Sequence, residues 1–494
     1  MLFQLSKNAF VRQYGPFTYI LGRVSNFDEV YVDAEVFMRW ITRAPIEKTV
    51  LLQRIANVYS DVDCNVIEHD FEEFILPLVN EKIVLRGNDE AAIQMSEETF
   101  SYDVEHPKTE FIGSRMTQTA STESTPTQTL LEEYFAVHPT IFDIQMDITQ
   151  ACTERCVHCY IPEYNPIFLP YEIIVKVIDE FRGQGGICLT LSGGECMLHP
   201  DFEKIVRYAR SKDLIVGVLS NLTLCDESMV KLLQETEATV QVSLYSMKPH
   251  IHDQITNRKG SWRATKMAIE QLRAAQVPCM ISCPTMKQNY KDYLDVLAFA
   301  RSLRMHAQTD FVIMGKMNCD TSNLRFRLDL DETRHVLEDI VLRSLPVNNE
   351  YFDPKKKECM QTDEEWSARK VCGACVSSVC LDATGYYYPC PAFAGVKLGS
   401  CYEHDLKWIW NESPETLRIR GVAGKDFPKC RHCKDRDYCS VCMCRNFNET
   451  GDMFTPAEHF CNVAAINHEV VDEKQRQMIE TVKYNDLRST CPGG

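Results

Sequence analysis

Residues 142–160 read FDIQMDITQACTERCVHCY, an alternating stretch that runs straight into three cysteines, Cys152, Cys156 and Cys159, spaced CxxxCxxC. Apolar residues at every second position are the mark of a half-buried β-strand. Three thiolates this close in sequence suit an iron-sulfur cubane, because soft sulfur holds iron and three ligands leave a fourth iron open. A zinc knuckle would call for a fourth ligand nearby, and His158 is the only local one.

Working outward, the segments ICLTLS, LIVGVLS, ATVQVSL, PCMISCP and TDFVIM repeat the strand pattern, with helical patterns such as YEIIVKVIDEF and RATKMAIEQLRAA between them. Six strand-helix repeats from about Ile141 to Leu342 predict a parallel sheet, either an incomplete barrel or an open doubly wound sheet. In both architectures chemistry belongs at the C-terminal ends of the strands. The second strand ends in LTLSGGE, where Gly193 and Gly194 allow a close backbone approach and Glu195 offers a carboxylate to an ammonium group. Ser220 and Asn221 end the third strand, Ser243 ends the fourth, and Thr256 and Arg258 follow in HDQITNRKG.

The chain has 494 residues, 45% of them hydrophobic and 25% charged, which predicts a globular protein of two or three domains. No apolar run is long enough for a membrane span, and the N-terminus lacks a secretory pattern, so a cytoplasmic location is expected. A net charge of -17 argues against a general nucleic-acid binder. In a reducing compartment, 23 cysteines point to metal rather than disulfides. Cys64, Cys188, Cys279 and Cys283 lie in apolar contexts and are expected in the core.

Eleven cysteines fall between Cys372 and Cys461. This field begins VCGACVSSVCLDATGYYYPC, with Gly385 in a hairpin turn before Cys390, and continues as CRHCKDRDYCSVC with Cys430, Cys433, Cys439 and Cys442. Its composition suggests a core built around metal clusters. From about Asn467 a charged helix and a frayed tail with an unliganded Cys491 are expected. At the other end, residues 1–100 show strand patterns at TYILGR, EVYVDA and EKIVLRG and helical patterns near Val36–Thr42, Lys48–Tyr59 and Asp70–Leu78, a combination that suggests a winged helix. GSRMTQTASTESTPTQT, within residues 101–139, is poor in large apolar residues and is expected to be a flexible linker.

The CxxxCxxC loop with Tyr160 behind it, followed by Gly193–Glu195 at the next strand end, resembles the radical S-adenosylmethionine (radical SAM) enzymes. That resemblance implies a partial (β/α)6 barrel over residues 140–345, an open iron that chelates the methionyl group of S-adenosylmethionine, and contacts to it from Gly193, Gly194, Glu195, Ser220, Asn221, Ser243 and Arg258. The later cysteines resemble the SPASM extension, over residues 346–466, and so imply two auxiliary [4Fe-4S] clusters besides the radical cluster. By that likeness Cys430, Cys433, Cys439 and Cys461 hold the distal cluster, and Cys372, Cys390 and Cys442 the proximal one. Cys442 is preferred to Cys444, and the fourth proximal ligand is Cys375, Cys380 or none. No residue stands out as a catalytic acid or base.

A small winged-helix-like unit ahead of a radical core resembles the peptide-recognition element of enzymes that modify ribosomally made peptides. The resemblance implies that a precursor's leader adds a strand to an exposed edge at EVYVDA, that a reductase, flavodoxin or ferredoxin supplies electrons, and that neither nucleic acid nor membrane is a partner. A thioether cross-link is the first product it implies, ahead of a carbon-carbon cross-link and an epimer. Formylglycine generation, as in anaerobic sulfatase maturation, and a non-enzymatic cluster-stapled binding module are the rival functions.

Overall fold

The computed structural model describes residues 1–100, 126–340 and 362–489, so Cys491 and most of the expected linker fall outside it. Residues 1–100 contain six strands rather than the three that the sequence suggests: β1 (Leu2–Leu5), β2 (Ala9–Tyr14), β3 (Phe17–Gly22), β4 (Phe27–Val32), β5 (Ile46–Glu47) and β6 (Val84–Gly87). They form two antiparallel three-stranded sheets, in the orders β5-β1-β6 and β2-β3-β4. The helices Lys48–Val58 and Cys64–Asn80 present Leu51, Ile55, Ile67, Phe71, Ile75 and Leu78 at helical spacing, and these pack on Phe3, Leu5 and Ile20. Cys64, expected in the core, starts the second of these helices and is exposed.

The six predicted strands of the middle region are all present: β7 (Asp143–Thr149), β8 (Cys188–Gly193), β9 (Ile215–Ser220), β10 (Thr239–Ser243), β11 (Cys279–Pro284) and β12 (His306–Asp310). They pair in parallel in sequence order with helices between them, forming the partial (β/α)6 barrel. The sheet does not stop at β7. There β13 (Ser378–Leu381) joins in parallel, and β14 (Tyr386–Tyr388) and β15 (Gly399–Ser400) extend the edge as antiparallel strands.

The cysteine-rich region therefore has an ordinary apolar core after all. Trp366, Leu381, Tyr387, Phe393, Ile409, Trp410 and Phe427 belong to the same buried cluster as the barrel's Ile144, Leu189 and Val216. Its weak periodicity reflects short elements whose apolar residues close on the barrel instead of on one another. The last helix, Glu458–Ser489, begins well before Asn467 and carries Cys461 in its first turn. Among the described residues no helix is long and apolar enough to cross a membrane.

Residues 126–137, part of the expected linker, form a helix. The composition of 113–129 misled because the apolar positions Leu131 and Phe135 lie just beyond it. These two pack with Phe10, Tyr14, Tyr19, Leu21, Phe142 and Ile187, so the β2-β3-β4 sheet is seated under the starting ends of β7, β8 and β9. One side chain locks this seat. Arg12, on β2, donates to Gly186 O (3.0 Å) and to Asp213 Oδ2 (3.1 Å), while Arg43 pairs with the other Asp213 oxygen.

Burial alone would raise the Asp213 carboxyl; Arg43 and Arg12 outweigh it and hold the group below the ordinary carboxylate range. Because the folded value is depressed, the stabilisation is complete above the unfolded value near about 4 and fades as pH falls through the folded one. Arg12→Ala removes one of the partners of Asp213 and leaves Gly186 O without its donor, and is expected to cost roughly 1–3 kcal/mol in denaturant unfolding. Asp213→Asn should flatten the loss of stability below about pH 4 that the unaltered chain shows.

Candidate active site

The cysteine loop leaves β7 at Thr149 and lies directly on the end of β8. A Cβ at Gly193, whose φ is +129°, would stand 2.2 Å from Thr149 O, and one at Gly194 would stand 2.3 Å from Ala151 O. Gly194 N donates to Thr149 O (2.9 Å) and Glu195 N to Ala151 O (2.8 Å). The two glycines are therefore required by contact, not by the turn alone.

Glu195, fully buried, then ties the strand ends together. Its Oε1 accepts from Met197 N (3.1 Å) and Ser220 Oγ (2.9 Å), and its Oε2 accepts from Asn221 N (2.8 Å). A carboxylate has about four acceptor sites, so roughly one stays open for an outside donor such as an ammonium group. Asn221 Nδ2 continues to Thr153 Oγ1 (2.9 Å) and lies 3.9 Å from Cys152 Sγ. Arg258 reaches the same loop through Thr153 O (3.3 Å) and Thr223 Oγ1 (3.1 Å). On the far side the loop is strapped to the helix Pro249–Thr256 by Arg155 N to Thr256 O (2.9 Å) and Val157 N to Ile255 O (2.9 Å). Thr256 itself is buried, with its hydroxyl 2.7 Å from that of Ser261. Ser243 hydrogen-bonds Tyr245, whose hydroxyl lies 3.9 Å from Cys156 Sγ.

All of the strand-end residues singled out in the sequence thus converge on Cys152–Cys159. Sequence reasoning missed Thr153, Glu154, Thr223 and Tyr245, which carry no motif; only their place after a strand end or inside the cysteine loop signals them. Glu154 is 3% exposed, and its Oε1 has no hydrogen-bond partner among the described residues. Burial pushes its carboxyl up to about 7. His158, edge-on to Tyr245 at 5.2 Å, is lowered to about 4 by burial and is neutral.

The donor set fits an iron-sulfur cluster. Burial pushes the Cys152 thiol up to about 12 and raises Cys156 and Cys159 as well. Three such thiols stay protonated at neutral pH unless bound iron supplies the positive charge. Among the described residues no three His, Cys, Asp or Glu side chains converge tightly enough for a single ion. A cubane takes each thiolate on a different iron, so its ligands face one another across the cluster. The orphaned Glu154 oxygen beside them suits a cofactor that brings its own donors.

Two further thiol groups gather in the C-terminal region. Cys372 lies within electrostatic reach of Cys390 and Cys442, and Cys375 within reach of Cys372 and Cys390. Cys444 hydrogen-bonds both Cys390 and Cys442, which drives the Cys442 thiol down to about 5 and Cys444 up, so both members of that pair stand at this group. Cys380 is fully buried, raised by burial, and within reach of Asp147 and Cys390. The second group joins Cys430, Cys433, Cys439 and Cys461. Gly385, φ +86°, makes the β13-β14 turn before Cys390.

Glu195→Gln keeps the shape but aims an amide NH2 at donors that need acceptors. A loss of roughly 1–3 kcal/mol in unfolding free energy is expected for each donor left unpaired.

Residues 146–300 match the sequence profile of the Radical SAM superfamily, and residues 372–434 match SPASM, an iron-sulfur cluster-binding domain. The chain is 25% identical over 335 residues to the AdoMet-dependent heme synthase of Methanosarcina barkeri, covering 64% of this chain and 95% of that one. It is 23% identical over 339 residues to the PqqA peptide cyclase of Granulibacter bethesdensis, covering 63% and 87%. In structure it is similar to Streptococcus suis SuiB bound to precursor peptide SuiA, with a TM-score of 0.61 and 15% identity over 93% of this chain and 99% of that one. The chain carries a radical SAM domain followed by a SPASM domain, and it is a radical SAM enzyme.

Proposed function

We propose that this enzyme matures a ribosomally made precursor peptide by radical chemistry, with a thioether as its product. The observation that carries the reading is the N-terminal unit. Among the described residues β4 pairs with β3 alone and is the edge of its sheet, with Val32 63% exposed at its end. An open edge offers backbone groups to an added strand, and the neighbouring side chains supply selectivity. EVYVDA, the stretch singled out in the sequence, overlaps this edge. The likeness to SuiB extends over this unit, whereas the match to the heme synthase spans 64% of the chain. A unit with an unpartnered strand is what a peptide substrate needs and a small planar substrate does not.

The seat of this unit refines the reading. It is docked under the starting ends of the barrel strands through Arg12 and Asp213, while the cysteine loop sits at their C-terminal ends. The seven residues of β7 span about 23 Å at roughly 3.3 Å each. An extended precursor therefore needs at least about seven residues between the leader segment on β4 and the residue that is modified.

Cys152, Cys156 and Cys159 would hold the radical cluster, which when bound delivers an electron that cleaves S-adenosylmethionine to a 5'-deoxyadenosyl radical. Gly193, Gly194 and Glu195 hold the cysteine loop against β8 and leave an acceptor for the amino group. Ser220, Asn221, Ser243 and Arg258 brace the loop from the adjoining strand ends. Cys430, Cys433, Cys439 and Cys461 would hold the distal cluster, and Cys372, Cys375, Cys390 and Cys442 the proximal one. A reductase, flavodoxin or ferredoxin provides the electrons.

Anaerobic co-expression with the small peptide encoded beside the gene tests the reading. Mass spectrometry is expected to show loss of two hydrogens per modified site, and Val32→Asp should abolish it while peptide-independent S-adenosylmethionine cleavage persists. Unchanged mass in ordinary water, with solvent deuterium taken up at the modified site in heavy water, would replace this reading with epimerisation. Reconstituted enzyme should contain about twelve irons. Cys442→Ser is expected to remove about four of them and Cys444→Ser none, as read by iron analysis.

A further inference from the structure

Successive residues of a strand face opposite ways. On β7, Ile144, Met146 and Ile148 are at most 1% exposed and pack outward into the helical layer, so Gln145 and Asp147 face the barrel interior, half-buried. Neighbours in register share that face. Asp147 stands beside Ser192 of β8, Gln145 beside Cys380 of β13, and Cys380 beside Tyr388 of β14. Gln145 Nε2 donates to Asp147 Oδ1 (2.8 Å), and the Ser192 hydroxyl is a second donor. Asp382 lies within electrostatic reach, but its Oδ1 is occupied in the β13-β14 turn, where it accepts from Thr384 N (2.9 Å) and Tyr386 N (3.0 Å).

Asp147 is thus a carboxylate on the inner wall, oriented by two neutral donors. Tyr160, directly after Cys159, lies within reach of Asp147, Cys380 and Cys390 together. Through Tyr160 the wall that carries Asp147 adjoins both the cysteine loop, where a radical would start, and Cys390, where the proximal cysteine group gathers. Asp147 belongs to neither set of ligands, and among the described residues it neither caps a turn nor joins an ion pair.

We propose that Asp147 is the proton acceptor for the oxidative step, touching the substrate residue that forms the new bond. The proposal rests on the thioether-maturase reading. In that reaction the substrate carbon gives a hydrogen atom to the deoxyadenosyl radical, forming 5'-deoxyadenosine. The peptide's thiol then loses its proton to the Asp147 carboxylate as sulfur bonds to the carbon radical. The one excess electron leaves to a one-electron iron-sulfur acceptor. The peptide has lost two hydrogens, one as an atom and one as a proton with its electron. The polar groups beside Asp147 orient its carboxylate without neutralising it, as a general base requires.

The test uses the full-length reconstituted enzyme, S-adenosylmethionine and synthetic cysteine-containing peptides, one for each short reading frame that adjoins the gene. Asp147→Asn is expected to form 5'-deoxyadenosine and bind fluorescein-labelled peptide as the wild type does, while cross-linked product per deoxyadenosine falls by roughly 10²-fold or more. A carbon-radical signal should persist in electron paramagnetic resonance, and Asp147→Glu should recover part of the product. Wild-type product per deoxyadenosine in Asp147→Asn overturns the proposal. So does a parallel fall of deoxyadenosine, peptide affinity and iron content in both variants, which would mark a structural role. If the wild type itself yields deoxyadenosine but no peptide that is two hydrogens lighter, the maturase reading fails, and the proposal fails with it.

Discussion

Gly193 and Gly194 lie so close to the carbonyls of Thr149 and Ala151 that no side chain fits between them. This contact presses the end of β8 onto the loop that carries Cys152, Cys156 and Cys159, and the rest of the site depends on it. Glu195 follows at once and clamps Met197, Ser220 and Asn221, so the ends of β8 and β9 share one buried carboxylate. Any larger residue at either glycine would push the cysteine loop away from the acceptors that surround it.

The same sheet joins two groups of cysteines. Because β13 pairs with β7 in parallel, the strand that leads into Cys152, Cys156 and Cys159 is also the neighbour of the strand that leads toward Cys390. Tyr160, directly after Cys159, lies within reach of Asp147, Cys380 and Cys390. Sharing one apolar core, the barrel and the cysteine-rich region are held in fixed register, which is what electron or proton movement between two sites requires. At the other end of the barrel, the N-terminal unit is seated by Arg12, Arg43 and Asp213 together with an aromatic layer of Phe10, Tyr14, Tyr19 and Phe142. That seat sets a distance from β4 to the cysteine loop.

Much of this was legible in local pattern. Alternation marked β7 through β12, and the cysteine spacings marked the thiol groups, because strand period and ligand spacing are properties of neighbouring residues. The N-terminal strands β1 and β2 and the helix Pro126–Val137 were not legible. LFQL is too short to show a period, and the helix's apolar residues begin where a Ser- and Thr-rich stretch ends. The apolar core of residues 366–453 escaped for a related reason. Its elements are two to eight residues long, and their buried faces close on the barrel.

The sequence by itself determined the radical SAM and SPASM assignments and the residues that gather at the strand ends, since each rests on spacing within a few positions. Only the tertiary structure decided why two glycines stand at 193 and 194, which must be small to let β8 lie on the cysteine loop. It alone brought Cys444 to Cys390 and Cys442, oriented Asp147 toward the barrel interior, and seated residues 1–100 beneath the strands. Each of these depends on contacts between segments tens to hundreds of residues apart, and chain-local periodicity carries no record of such contacts.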